Sequence, residues 1–176
     1  MADKYLIVVD MQNDFVTGAL GTEQAQAVVA NVVRKVRDFS GKVLFTQDTH
    51  AENYLDTQEG QLLPVKHCIK GSEGWQIIPE LAALQAQAGS PTFEKNTFGS
   101  LDLAQYLLGE YQQQAVESVE LVGVCTDICV ISNALLIKAH MPELPVYVDA
   151  SCCAGVTPEA HEAALATMRS CQIIQR

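Results

Sequence analysis

Two hydrophobic periodicities alternate along the chain. YLIVV (5–9) is an unbroken apolar run rich in β-branched side chains, the pattern of a strand buried on both faces. Residues 22–39 change to helical spacing, with Val28, Val29, Val32, Val33 and Val36 on one stripe and Thr22 placed to cap it. KVLFT (42–46) returns to a strand pattern after Gly41. From Gln47 to Gly74 neither period holds, which is long for a connection and marks a functional loop. The pattern then predicts a helix over 76–86, a strand at PTFEK (91–95), and a helix capped by Ser100 and running to Gln112. That helix would bury Leu103, Leu107, Leu108 and Tyr111. SVELVGV (118–124) predicts a fourth strand, followed by a helix to His140, and LPVYVD (144–149) a fifth. Thr157 and Pro158 open a helix to about Ser170, and CQII (171–174) suits a short last strand.

Strands alternating with helices imply βαβ units. The expected fold is α/β: one Rossmann-like domain over 1–176, three layers deep, with a mainly parallel six-stranded sheet and helices on both faces. Such sheets bind ligands beyond the carboxyl ends of their strands. The residues just after each strand therefore matter most. They are Asp10 in VVDMQNDF, Asp48 and His50 in TQDTH, Lys95 in FEKNTFGS, and the segment GVCTDICV (123–130).

Composition narrows the classes of function. A net charge of −10 with no basic cluster argues against nucleic acid and against anionic membranes as partners. No apolar run approaches the roughly 20 residues of a membrane span. The opening MADKYLIVVD does not suit a secretory signal, so a cytoplasmic location is expected. Six cysteines without a CxxC pair support neither a zinc ribbon nor a thioredoxin motif. Each cysteine is by default a small buried hydrophobe.

Cys129 has a local reason to differ. If Thr126 or Asp127 caps the following helix, Cys129 lies in its first turn, where the positive end of the dipole lowers a thiol pKa. Cys125, at the strand end, gains less. A thiolate nucleophile with a lysine to stabilise it and a carboxylate to move its proton is the chemistry of acyl transfer, and backbone N–H groups near the helix start could bind the oxyanion. Taken singly, each residue has a plainer reading: Asp10 as a turn former, Lys95 as a surface lysine, His140 and His161 as exposed helix residues. Asp48 and His50, one residue apart, point the same way on extended backbone, with Glu59 and His67 further along. Imidazole and carboxylate suit zinc, iron or manganese.

VVDMQNDF, TQDTH, PVKHC, FEKNTFGS and GVCTDICV, in that order, resemble the isochorismatase-like cysteine hydrolases, most closely the nicotinamidases. The resemblance implies an Asp10–Lys95–Cys129 triad, a cis peptide before Cys125, and an oxyanion hole from the amides of Cys125 and Cys129. It also implies one divalent metal ion, zinc with iron or manganese as alternatives, on Asp48, His50, His67 and Glu59, with water completing the site if Glu59 does not. Phe15, Phe98 and Val124 would line the substrate, nicotinamide. The implied reaction gives nicotinate and ammonia for NAD salvage. Two rivals remain at this level: a metal-independent amidase of the same family acting on a carbamoyl or ureido compound, and a non-enzymatic metal-binding or thiol redox protein. The oligomeric state is open, and a homo-oligomer is compatible with the valine-rich helix.

Overall fold

The computed structural model describes residues 2–176. Along the chain run β1 (Asp3–Val9), α1 (Asn13–Val16), α2 (Glu23–Asp38), β2 (Lys42–Asp48), α3 (Gln58–Leu62), α4 (Pro79–Ala88), β3 (Thr92–Lys95) and α5 (Leu101–Gln112). They are followed by β4 (Val116–Val124), α6 (Ile131–His140), β5 (Val146–Ala154), α7 (Pro158–Ser170) and β6 (Ile174–Gln175). A 3₁₀ turn (Tyr54–Asp56) precedes α3, and a π-helical turn (Thr126–Val130) separates β4 from α6. The six strands form one sheet in the order β3-β2-β1-β4-β5-β6, and every pair in it is parallel.

The apolar runs explain the layers. Tyr5, Ile7 and Val9 face one core with Leu121, Val146 and Val148, covered by Leu103 and Leu107 of α5, Ile137 of α6 and Met168 of α7. Leu6 and Val8 face the other, with Phe45, Val122 and Val124, under Val32 and Val36 of α2 and Leu81 of α4. The valine-rich α2 forms although each valine sacrifices up to about 0.7 kcal/mol of helix propensity. Burying a valine returns about 1.5–3 kcal/mol, so packing decides. Thr22 caps the helix by accepting the Ala25 N–H at 3.0 Å.

Several boundaries move for physical reasons. The helix expected from residue 76 starts at Pro79, which occupies its first turn. The fifth strand continues past Asp149 to Ala154, across a shift in its pairing with β4 between Leu121 and Gly123. The last strand is only Ile174–Gln175, because Cys171 still caps α7. The irregular loop after β2 folds into two short helical turns and is pinned by a bridge between His50 and Ile69.

Gly123 controls the approach of the two central strands. Its φ is +116°, and a Cβ there would fall on the Val9 carbonyl of β1. Gly123→Ala should therefore destabilise the protein by at least about 1–3 kcal/mol, seen as a lower urea midpoint at unchanged m-value. An unchanged midpoint would show that β1 and β4 tolerate wider spacing.

Candidate active site

Four neighbouring strands deliver the site to one edge. Just past β1, Asp10 is fully buried with a φ of +47°, a conformation that aspartate adopts more readily than most residues. Thr46 of β2 donates its hydroxyl to Asp10 Oδ1 at 2.7 Å and accepts the Asp10 N–H at 3.2 Å. Lys95 ends β3, and its Nζ lies 2.6 Å from Asp10 Oδ2. At that distance the contact is charge-assisted, and it falls on the carboxylate oxygen that Thr46 does not engage. The same ammonium lies 3.5 Å from Cys129 Sγ and 3.5 Å from Asp48 Oδ1.

Burial sets the protonation states. It raises the Asp10 carboxyl, against the pull of Lys95. Burial, reinforced by Asp10, pushes the Cys129 thiol well up, and Lys95 only partly opposes this. Lys95 itself stays charged: its desolvation is outweighed by Asp10, Cys129 and Asp48. This corrects the expectation of a thiol lowered by a helix start. Cys129 lies in the π-helical turn, before α6 begins, and neither Thr126 nor Asp127 caps it. Their side chains are committed elsewhere, the Thr126 hydroxyl to His161 Nδ1 at 2.8 Å and Asp127 Oδ1 to the Val156 N–H at 3.0 Å. His161 is thus half-buried and engaged, not a free surface histidine, whereas His140 is exposed. A thiol and a carboxyl both raised by burial, beside a fixed cation, suit attack coupled to proton transfer.

The peptide between Val124 and Cys125 is cis. The Cys125 carbonyl accepts from the N–H groups of Ile128 and Val130 at 3.1 and 3.0 Å, and neither bond uses the Cys129 N–H.

A second cluster adjoins the first. One donor atom each from Asp48, His50 and His67 lies within 4.8 Å of the others, and all three residues are buried. Asp48 Oδ2 is 3.0 Å from His50 Nε2 and 3.6 Å from His67 Nε2; Glu59 Oε1 is 3.7 and 3.8 Å from the same two nitrogens. Ligands around a tetrahedral zinc sit roughly 3.3 Å apart, so Asp48, His50 and His67 fit with small adjustments, and Glu59 stands near the two histidines but outside that group of three. His67 Nδ1 donates to the Val65 carbonyl at 2.8 Å, which leaves Nε2 as the ligating lone pair. Burial works against a charged Asp48, but His50, His67 and Lys95 hold its carboxyl well below the usual carboxylate range. A cavity of about 530 Å³ reaches this cluster along His50, Tyr54 and Glu59. Cys129 and Asp10 do not line it.

The isochorismatase domain model matches residues 4–175. The chain belongs to the isochorismatase-domain family. Among its relatives, a nicotinamidase/pyrazinamidase of Mycobacterium tuberculosis is 28% identical over 180 residues, covering 96% of this chain and 95% of the relative. A pyrazinamidase of Pyrococcus horikoshii, solved in complex with zinc, superposes with a TM-score of 0.81 at 28% identity, covering 99% and 98% of the two chains. A nicotinamidase/pyrazinamidase of Bacillus subtilis gives 0.85 at 27% identity, covering 98% of each.

The remaining expected residues are placed around this isochorismatase-domain site. Phe15 is buried, with its ring centroid 5.6 Å from that of His67 in an edge arrangement. Val124 is buried in the same core as Phe15. Phe98 is half-exposed on the loop after β3. Some contributors escape a search that looks only beyond strand ends. Thr46 lies two residues inside the end of β2, on the same face as Asp48, and only its polarity within an apolar run marks it. Gln12 is fully buried; it accepts the Asp48 N–H at 2.7 Å and donates to the carbonyls of Asp48 and Trp75 at 2.8 Å each. Asp14 accepts the Cys68 N–H at 2.8 Å, next to His67. Tyr54 packs its ring edge-on to both histidines, with centroids 4.7 and 4.9 Å away.

Replacing His67 by Ala should weaken zinc binding by more than about 100-fold, measured by competition with a chromophoric chelator. Retained affinity would place the metal elsewhere.

Proposed function

We propose that this protein is a nicotinamidase, a cysteine-dependent amidohydrolase that converts nicotinamide to nicotinate and ammonia in NAD salvage. The single observation that carries the reading is the Asp48–His50–His67 group standing beside Asp10, Lys95 and Cys129, with Asp48 in contact with Lys95. A pyridine carboxamide has a ring nitrogen for one cluster and an amide for the other. The names of the relatives point the same way.

The reaction follows from the residues present. Cys129 Sγ attacks the carboxamide carbon while its proton passes to Asp10 Oδ2, the oxygen that Thr46 leaves free. The new C–S bond places negative charge on the amide oxygen, which the N–H groups of Cys125 and Cys129 would receive. Lys95 stays an ammonium and keeps the shifting negative charge of Asp10 and Cys129 paired. Collapse breaks the C–N bond as Asp10 returns the proton to the leaving nitrogen, releasing ammonia. Water then attacks the thioester, Asp10 accepts its proton, and cleavage of the C–S bond frees nicotinate and restores the thiol. Asp48, His50, His67 and Glu59 would hold a divalent ion, zinc in the first instance. When bound, that ion would supply positive charge that draws a ring nitrogen to this side of the site. Phe15 and Phe98 would bound the ring, with Val124 behind it. Positioning of this kind is worth several kcal/mol of barrier.

The rival metal-independent amidase has no use for a buried Asp–His–His group. A thiol redox role is opposed by burial, which raises the Cys125 thiol to about 12 and the Cys152 thiol to about 11. We read residues 1–176 as one catalytic domain working in the cytoplasm, on a small molecule rather than nucleic acid or membrane, alone or as a homo-oligomer. Among the described residues no helix is long and apolar enough to cross a membrane.

Purified, zinc-loaded protein should release ammonia from nicotinamide. Cys129→Ala should lower the rate by at least about 10⁴-fold and Asp10→Asn by about 10²–10⁴-fold. Cys125→Ala should keep most activity, since only its backbone is used. Full activity in Cys129→Ala, or no ammonia from the wild type, would overturn the assignment.

A further inference from the structure

We propose that Asn133 is a positioning residue that ties the nucleophile segment to the loop after β3 and so fixes Cys129 against Lys95. The proposal rests on the reading of Cys129 as nucleophile. Asn133 lies in the first turn of α6 and is 1% exposed. Its Nδ2 donates to the carbonyl of Cys129 at 2.8 Å and to the carbonyl of Phe98 at 3.2 Å. Its Oδ1 accepts the Ser100 N–H at 2.9 Å. One side-chain amide therefore uses both donor hydrogens and an acceptor on three backbone groups from two segments.

Those segments carry the reacting groups. Cys129 is the residue whose carbonyl is held. Phe98 and Ser100 belong to the loop that begins directly after Lys95. Residues 96–98 are exposed, so the loop is free on one side, while Lys95 and Ser100 at its ends are buried. Ser100 also caps α5 by accepting the Leu103 N–H at 3.2 Å. Gly99 lets the loop rest on α6: a Cβ there would come within 3.3 Å of the Ser132 carbonyl and of Leu136. Asn133 is thus the hydrogen-bonded tie across the seam between the β3 loop and the π-helical turn. Across that same seam Lys95 Nζ and Cys129 Sγ stand 3.5 Å apart. A leucine at this position would fill the core and leave the seam untied. The link also joins Phe98, at the rim, to the backbone of the nucleophile, so a ring packed against Phe98 would bear on the segment that attacks it.

Asn133→Asp tests this with little change of shape. It keeps the acceptor for Ser100 but turns a carboxylate oxygen toward the carbonyls of Cys129 and Phe98. Asn133→Ser removes the reach across the seam. Met141→Ala, in a fully buried position at the far end of the same helix, is the control for plain loss of stability. Each variant is measured in zinc-loaded form for kcat and KM on nicotinamide, for the rate of Cys129 alkylation by iodoacetamide mapped by peptide mass, and for thermal unfolding. Both Asn133 variants should lose about 10–100-fold in kcat, with a smaller change in KM and an altered alkylation rate. Met141→Ala should lower Tm while kcat per folded molecule stays put. Folded Asn133 variants with wild-type kcat and alkylation rate would overturn the proposal. So would losses that match the Met141→Ala control, or failure of both Asn133 variants to fold, which would assign the residue to stability alone. Absence of nicotinamide hydrolysis in the wild type would sink the functional reading instead, and the alkylation comparison would still decide the role of Asn133.

Discussion

One buried ammonium holds the site together. Lys95 is 6% exposed, yet its charge survives because two carboxylates and a thiol surround it. Alone, such a charge would cost several kcal/mol to bury, and its removal would leave Asp10 and Asp48 buried close to a common point with nothing between them. The three charges therefore form an arrangement in which each is the reason the others can stay. Asp48 has a second commitment, to His50 and His67. Through it the Asp48–His50–His67 group and the Asp10–Lys95–Cys129 group share one electrostatic centre.

The sheet makes this arrangement inexpensive. The order β3-β2-β1-β4 sets Lys95, Asp48, Asp10 and the Cys129 turn at the ends of four adjacent strands, all running the same way. Apolar cores on both faces fix the strands, and Gly123 allows β4 to lie tightly beside β1. Burial then does chemical work. It raises both the Asp10 carboxyl and the Cys129 thiol, which favours keeping a proton within the site over losing it to water. On the proposed mechanism the nucleophile is thereby made at the moment of attack.

Much of this was legible in the sequence, for identifiable reasons. Asp10 and Asp48 close strands built on apolar runs and Lys95 closes the short PTFEK strand, so strand pattern alone sends them to the same edge. The six parallel strands and the caps at Thr22, Ser100 and Thr157 follow from periodicity and turn chemistry. The family motifs pointed to His67 and Glu59, which no local pattern would have joined to His50. What stayed hidden depends on long-range contacts. The π-helical turn is a choice among backbone hydrogen bonds that leaves no mark in side-chain spacing. His161 looked free because Thr126, its partner, is 35 residues away. Thr46, Gln12 and Asn133 are polar residues whose partners lie on other elements, and only the folded chain shows them satisfied. The continuation of β5 through Ser151 and Cys152 was masked by a break in pairing register.

On the proposed mechanism Cys129 carries the acyl group, Asp10 takes and returns its proton, and Lys95 balances the charge. Acid quenching of zinc-loaded enzyme during turnover of nicotinamide, followed by peptide mass mapping, tests it most directly. A nicotinoyl adduct is expected on the peptide bearing Cys129, absent when the substrate is omitted. An adduct on a different residue, or steady ammonia release with no acylated peptide even in rapid-quench samples, would contradict it.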